Sequence, residues 1–130
     1  KALVEKLGIP GTSPPPDAAA AASHFGSLRA AAFAKVATLE FSRTRKSMSV
    51  LCRPVGGKLN SLYAKGAPEH LLPRCTSLRL ADGATVWMDD SWRSAIREQF
   101  EDMAKRPLRC LAFAVKERGL GKFADYLGPD

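Results

Sequence analysis

At 130 residues, with 45% hydrophobic and 25% charged side chains, the chain has the length and composition of one folded domain rather than a disordered segment. Its 20 basic residues against 13 acidic ones give a net charge of +7, pointing to a nucleotide, a nucleic acid or an acidic surface as partner. Three cysteines without a Cys-x-x-Cys spacing argue against a disulfide framework or a metal knuckle, and no apolar run approaches the ~20 residues that span a bilayer.

In chain order, Ala2, Leu3, Glu5 and Lys6 are good helix formers, and Gly8 with Pro10-Gly11 stops them. Residues 10–17 read as a linker, because three consecutive prolines fit neither a helix interior nor a central strand. A mobile Pro/Ala-rich insert is expected over 10–23, followed by a helix whose firm part is 27–35. Val36 to Phe41 and Ser47 to Arg53 read as antiparallel strands, with Met48, Val50 and Cys52 on one face and the basic segment Ser42 to Lys46 joining them. After the turn cluster Pro54-Val55-Gly56-Gly57, a third strand runs from Leu59 to Lys65. Pro68 and Glu69 start a short helix that Pro73 ends. Thr76 to Leu80 and Thr85 to Met88 form a hairpin about Asp82-Gly83. Asp89-Asp90-Ser91 offers an N-cap to an amphipathic helix striped by Trp92, Ala95, Ile96, Phe100 and Met103, which Pro107 closes. Leu108 to Val115, the most apolar segment, reads as a central strand. The sum is an α/β (α+β) arrangement, a mainly antiparallel twisted sheet flanked by helices, in one domain over 1–130. The chain opens without Met and closes on Leu127-Gly128-Pro129-Asp130 without a capping element, so it reads as a piece of a longer protein.

Charge is distributed unevenly along this order. Between Glu40 and Glu69 lie 28 residues with no acid and six cations: Arg43, Arg45, Lys46, Arg53, Lys58 and Lys65. An imbalance of that kind favours an anionic ligand, and Phe41 at its head adds a ring on which a flat base can stack. From the residues alone, Phe41 reads either as that platform or as a continuation of the Ala37-Leu39 face into the core. Arg109 likewise reads either as an anion ligand or as an ion-pair partner of Glu101 or Asp102. Arg45, Arg53 and Lys58 read as solvated surface charge, Met48 and Met103 as core, and Cys110 as a small buried hydrophobe.

Thr38 to Val50, Lys65-Gly66-Ala67-Pro68-Glu69 and Leu108-Arg109-Cys110-Leu111-Ala112 resemble, in order and with similar spacing, three signatures of the nucleotide-binding domain of P-type ATPases. The wording is that of the sarcoplasmic and endoplasmic reticulum calcium pumps. Thr44 departs from it, standing where those pumps commonly carry an acid. The resemblance implies that Phe41 stacks on adenine, that Lys65, Gly66, Ala67 and Leu111 line the cavity, and that Gly66 lets the backbone approach the ligand. It also implies that Arg109, Arg43 and Lys46 meet the phosphates while Glu40 orients the pocket through hydrogen bonds. The ligand would be ATP, as Mg-ATP in a parent pump. Its γ-phosphate would pass to an aspartate on a separate phosphorylation domain, on the cytosolic face of a reticulum membrane. The partners implied are that domain, an actuator domain and transmembrane helices of the same parent chain, the domain itself being monomeric and binding no nucleic acid.

The phosphorylated Asp-Lys-Thr-Gly motif of P-type pumps does not occur in this sequence, nor does a Gly-x-x-x-x-Gly-Lys-Ser/Thr loop. The expectation is therefore a domain that binds ATP without catalysing. A basic nucleic-acid-binding domain is the alternative; it accounts for the charge but finds no second aromatic beside the basic run.

Overall fold

The computed structural model describes Ser13 and residues 18–128, and the expected helix at 2–7 lies outside them. Of the 10–23 insert, residues 10–12 and 14–17 also lie outside, while 18–23 form the first turns of helix α1 (Ala18–Ala32). Its alanines carry no helix penalty, which lets α1 run through Gly26. The helix stops at Ala32 rather than at 35. Phe33, Ala34 and Lys35 are drawn instead into a ladder opposite Pro54, Arg53 and Cys52.

Strand β1 (Phe33–Ser42) pairs with β2 (Ser47–Pro54), β2 with β3 (Ser61–Gly66), and β3 with β6 (Ala112–Lys116), every pair antiparallel. The order β1-β2-β3-β6 makes β6 an edge strand, which corrects the reading of Leu108–Val115 as central. Its apolar run reflects a half-covered edge: Ala112 and Ala114 are part-buried, whereas Phe113 is 65% exposed. The most buried strand is β2, with Ser47, Ser49 and Leu51 facing one way and half-buried Met48 and Val50 the other.

Helix α2 (Pro68–Leu71) begins with the proline already fixed in helical φ and passes into a 3-10 turn over Leu72–Arg74. Leu71, Leu72 and Met88 join Leu51 and Cys52 as the buried apolar side chains of the described residues. The hairpin β4 (Ser77–Arg79) and β5 (Thr85–Trp87) turns where expected, with Asp82 Oδ1 accepting from Ala84 N at 2.8 Å and Gly83 at φ +88°. Helix α3 (Asp90–Lys105) is capped by Asp89, whose Oδ1 accepts from Trp92 N at 2.8 Å. Arg93 ties its first turn to the 3-10 segment, donating to Leu72 O at 2.8 Å and Cys75 O at 2.7 Å.

Two arginines read as solvated charge have structural work instead. Arg53 donates through Nε to Asn60 Oδ1 at 3.0 Å and through Nη2 to the carbonyls of Asp125 and Tyr126 at 3.0 and 2.9 Å. Asn60, only 1% exposed, donates to the carbonyls of Phe123 and Tyr126 at 2.8 and 2.7 Å. Together they fasten the segment after β6 to the β2–β3 end of the sheet. The second is Arg45, half-buried in the β1–β2 connection, whose Nη2 donates to the carbonyls of Leu39 and Glu40. Among the described residues, no helix is long and apolar enough to cross a membrane.

Candidate functional site

The two motifs that flank the basic run meet because of the ladder. β1 ends at Ser42 and β3 ends at Gly66, both opposite Ser47 at the head of β2. Lys65 is opposite Met48 on β2 and Phe113 on β6, so those three side chains share a face. On β1, Glu40 and Phe41 both fall opposite Met48, because the register breaks between Leu39 and Ser42. That bulge brings Phe41 to the cleft.

The cleft has a volume of about 520 Å³ and is lined by Phe41, Lys46, Met48, Lys65, Gly66, Ala67, Arg109, Cys110 and Leu111. Its walls come from the end of β1, the start of β2, the β3–α2 junction and the connection between α3 and β6. Two contacts hold those walls together. Ala67 N donates to Lys46 O at 3.0 Å, joining the β3–α2 junction to the β1–β2 connection. The Cys110 thiol donates to Phe100 O at 3.8 Å, joining the α3–β6 connection to the helix before it.

Of the residues singled out by sequence, Phe41, Lys46, Lys65, Gly66, Ala67, Arg109 and Leu111 therefore come together. Arg43 does not: it is exposed in the β1–β2 connection and is absent from the lining. Glu40 is exposed too, and its backbone carbonyl, not its carboxylate, is engaged, by Arg45. Met48 and Cys110 are additional lining residues that sequence reading assigned to the core. Met48 was legible in principle, since a strand residue paired with Lys65 must share its face.

The chemistry of the lining is an aromatic and several cations. Phe41 is 59% exposed, so its ring is not a core side chain. Lys46, Lys65 and Arg109 have no ion pair among the described residues. Asp102, one of the carboxylates considered for Arg109, is instead 3.9 Å from Lys105. An aromatic face beside uncommitted cations suits a ligand with a flat ring and an anionic tail.

Residues 2–125 match the family described as "P-type ATPase, cytoplasmic domain N". The chain belongs to that family. This N domain is 48% identical over 92 residues to "Calcium-transporting ATPase 2, endoplasmic reticulum-type" of Arabidopsis thaliana, an alignment covering 71% of the chain and 8% of that protein. It is 35% identical over 126 residues to "Calcium-transporting ATPase 3, endoplasmic reticulum-type" of the same plant, covering 89% of the chain and 12% of the relative. With a "Probable calcium-transporting ATPase" of Trypanosoma brucei brucei the identity is 43% over 89 residues, or 63% of the chain and 9% of the relative. The N domain thus spans about a tenth of the length of the relatives it matches.

Proposed function

We propose that the cleft holds the adenine nucleotide ATP, with the base on Phe41 and the phosphates directed by Lys46 and Arg109. The observation that carries this reading is the exposed Phe41 ring in one cleft with Lys46, Lys65 and Arg109, none of them ion-paired among the described residues. At about 520 Å³ the cleft lies within the range of small-molecule sites. Base–aromatic stacking contributes ~1–3 kcal/mol, and the guanidinium fork of Arg109 suits phosphate oxygens. Lys65 lies on the same sheet face as Met48 and contributes to the cavity wall, with Gly66, Ala67 and Leu111 closing it. Arg43 and Glu40 are exposed and outside the cleft lining, so this reading gives them no direct contact with the base.

The parent, on this reading, is a P-type pump of a reticulum membrane, with calcium as its ion because the relatives are named calcium-transporting. The N domain faces the cytosol, binds as a monomer and delivers the γ-phosphate of Mg-ATP to an aspartate on a neighbouring domain. Actuator and membrane parts of the same parent chain complete the machine. Holding the base on one domain and transferring the phosphate on another makes domain closure the step that couples binding to transport.

The test is an NMR titration of the 130-residue chain with ATP, AMP and adenosine, repeated on Phe41→Ala. Expected are shared shifts around Phe41, Lys65 and Arg109 that vanish in the variant. No shift at millimolar ligand, either in this chain or in one extended at its N-terminus, overturns the reading. Tight oligonucleotide binding that collapses with added salt would favour a nucleic-acid partner instead.

A further inference from the structure

We propose that Arg45 is a positioning residue for the Phe41 ring, acting through the backbone bulge that aims the ring into the cleft. Where Leu39 pairs with Ser49 and Ser42 pairs with Ser47, the two intervening residues Glu40 and Phe41 face the single residue Met48. A bulge of this kind re-aims a side chain and takes backbone groups out of the ladder. The carbonyls of Leu39 and Glu40, the two groups immediately before Phe41, both accept from Arg45 Nη2.

Arg45 is itself held in place. Its backbone N donates to Ser42 Oγ at 3.1 Å, and the next residue, Lys46, donates to Ser42 O at 2.8 Å and adopts φ +49°. The side chain is thereby turned back along β1, which explains why Arg45 is half-buried while Arg43, two residues earlier, is exposed. A guanidinium has five donors in a fixed plane and no acceptor, so two adjacent carbonyls at a bulge are a fitting partner. Arg45 is not among the lining residues. Its effect on a ligand runs through Phe41, whose peptide N follows the Glu40 carbonyl that Arg45 engages.

This rests on the adenine reading of the cleft, and the test separates the two. The 130-residue chain, Arg45→Met and Arg45→Lys are titrated with adenosine, ATP and inorganic tripolyphosphate, and Phe41 ring resonances are recorded without ligand. Arg45→Met keeps the apolar stem but removes the donors. It is expected to weaken adenosine and ATP by the same factor, about three- to tenfold, a fraction of the stacking contribution. Tripolyphosphate binding stays as in the wild type. Arg45→Lys, which restores a donor to the carbonyls, recovers part of the loss. In a Phe41→Ala background, Arg45→Met adds nothing for adenosine. Loss of tripolyphosphate with adenosine unchanged would instead make Arg45 a phosphate ligand and overturn the proposal. If the wild type binds neither adenosine nor ATP, the nucleotide reading fails. The ligand-free spectra still decide the positioning role, because Phe41 ring shifts that do not move in Arg45→Met overturn it.

Discussion

Gly66 and Lys46 approach so closely that a Cβ on Gly66 would stand 2.5 Å from the Lys46 carbonyl oxygen and 2.8 Å from Ser47 Cα. Both are backbone atoms where the β1–β2 connection enters β2, and Ser47 Cβ stands at 2.7 Å beside them, so no rotamer change relieves the clash. The reason for glycine here is thus the neighbouring strand, a constraint separate from any approach of the chain to a ligand. Gly66→Ala removes a conformational freedom that would favour the strand by about 0.5–1 kcal/mol. Overpacking costs about 1–3 kcal/mol, and with immobile backbone on two sides the clash wins. The variant is expected to lose about 1–2 kcal/mol in urea unfolding, on the balance of those terms. Because the Lys46 carbonyl also receives Ala67 N, the cleft should loosen with it. Unfolding indistinguishable from wild type would show that β2 and β3 can separate locally.

Asn60 supports the other end of the sheet, and its side chain is saturated: the oxygen receives Arg53 and the nitrogen serves two carbonyls. Asn60→Ala strands those partners and is expected to cost about 2–4 kcal/mol, as for a small buried network losing its hub. Asn60→Asp is the sharper experiment. It keeps the acceptor for Arg53 but sets a carboxylate against the Phe123 and Tyr126 carbonyl oxygens. Amide exchange at Phe123 and Ala124, protected in the 3-10 turn over Gly121–Phe123, should rise in Asn60→Asp before the sheet amides do. Simultaneous loss of protection everywhere would mean that this segment is integral to the sheet's stability.

Local signals carried most of the fold. Asp82-Gly83 marked the β4–β5 turn, Asp89 the start of α3, and the alternation on either side of the basic run marked β1 and β2, because each depends on neighbours within a few residues. Strand order was not legible: the Leu108–Val115 run is equally apolar at a centre or at an edge, and only pairing with β3 alone decides. Arg53 and Asn60 escaped for a related reason, since their partners lie more than sixty residues on and are backbone carbonyls without side-chain identity. For the cleft, the motifs supplied Phe41, Lys65 and Arg109. Met48 needed the register, and the separation of Arg43 from Lys46 needed the conformation of the connection.

Lys46 and Arg109 line the cleft without an ion pair among the described residues, so their charge is available to a ligand. Arg109→Gln should weaken ATP by about two- to fivefold, the upper part of the range for an exposed charge pair, and adenosine hardly at all. Added salt should shrink that difference by screening. Isothermal titration at two ionic strengths measures both. An equal loss for adenosine would place Arg109 against the base or ribose rather than the phosphates.

Among the described residues, three groups make stability sensitive to alkali. Burial pushes the Cys52 thiol up from its usual 9.0, against the opposing pull of Arg29 and Lys35. Burial likewise raises Cys75 against the pull of Arg93. Tyr63 is raised from 10.0 by burial first, then by Cys52 and Glu117, against the Ser61 hydrogen bond and Arg79. Each group holds its proton more tightly folded than unfolded. Above the unfolded value, the unfolded chain therefore releases protons that the folded chain retains, and stability falls as pH rises. The stability these groups lend is complete below about pH 9 and is lost as pH climbs through the folded values. Urea midpoints taken from pH 7 to 11 should stay level and then decline beyond about pH 9, by the same linkage. Cys52→Ala should make that decline shallower, at the expense of a small loss in the neutral range where the buried sulfur packs. A decline equally steep in the variant would assign it to Tyr63 and Cys75.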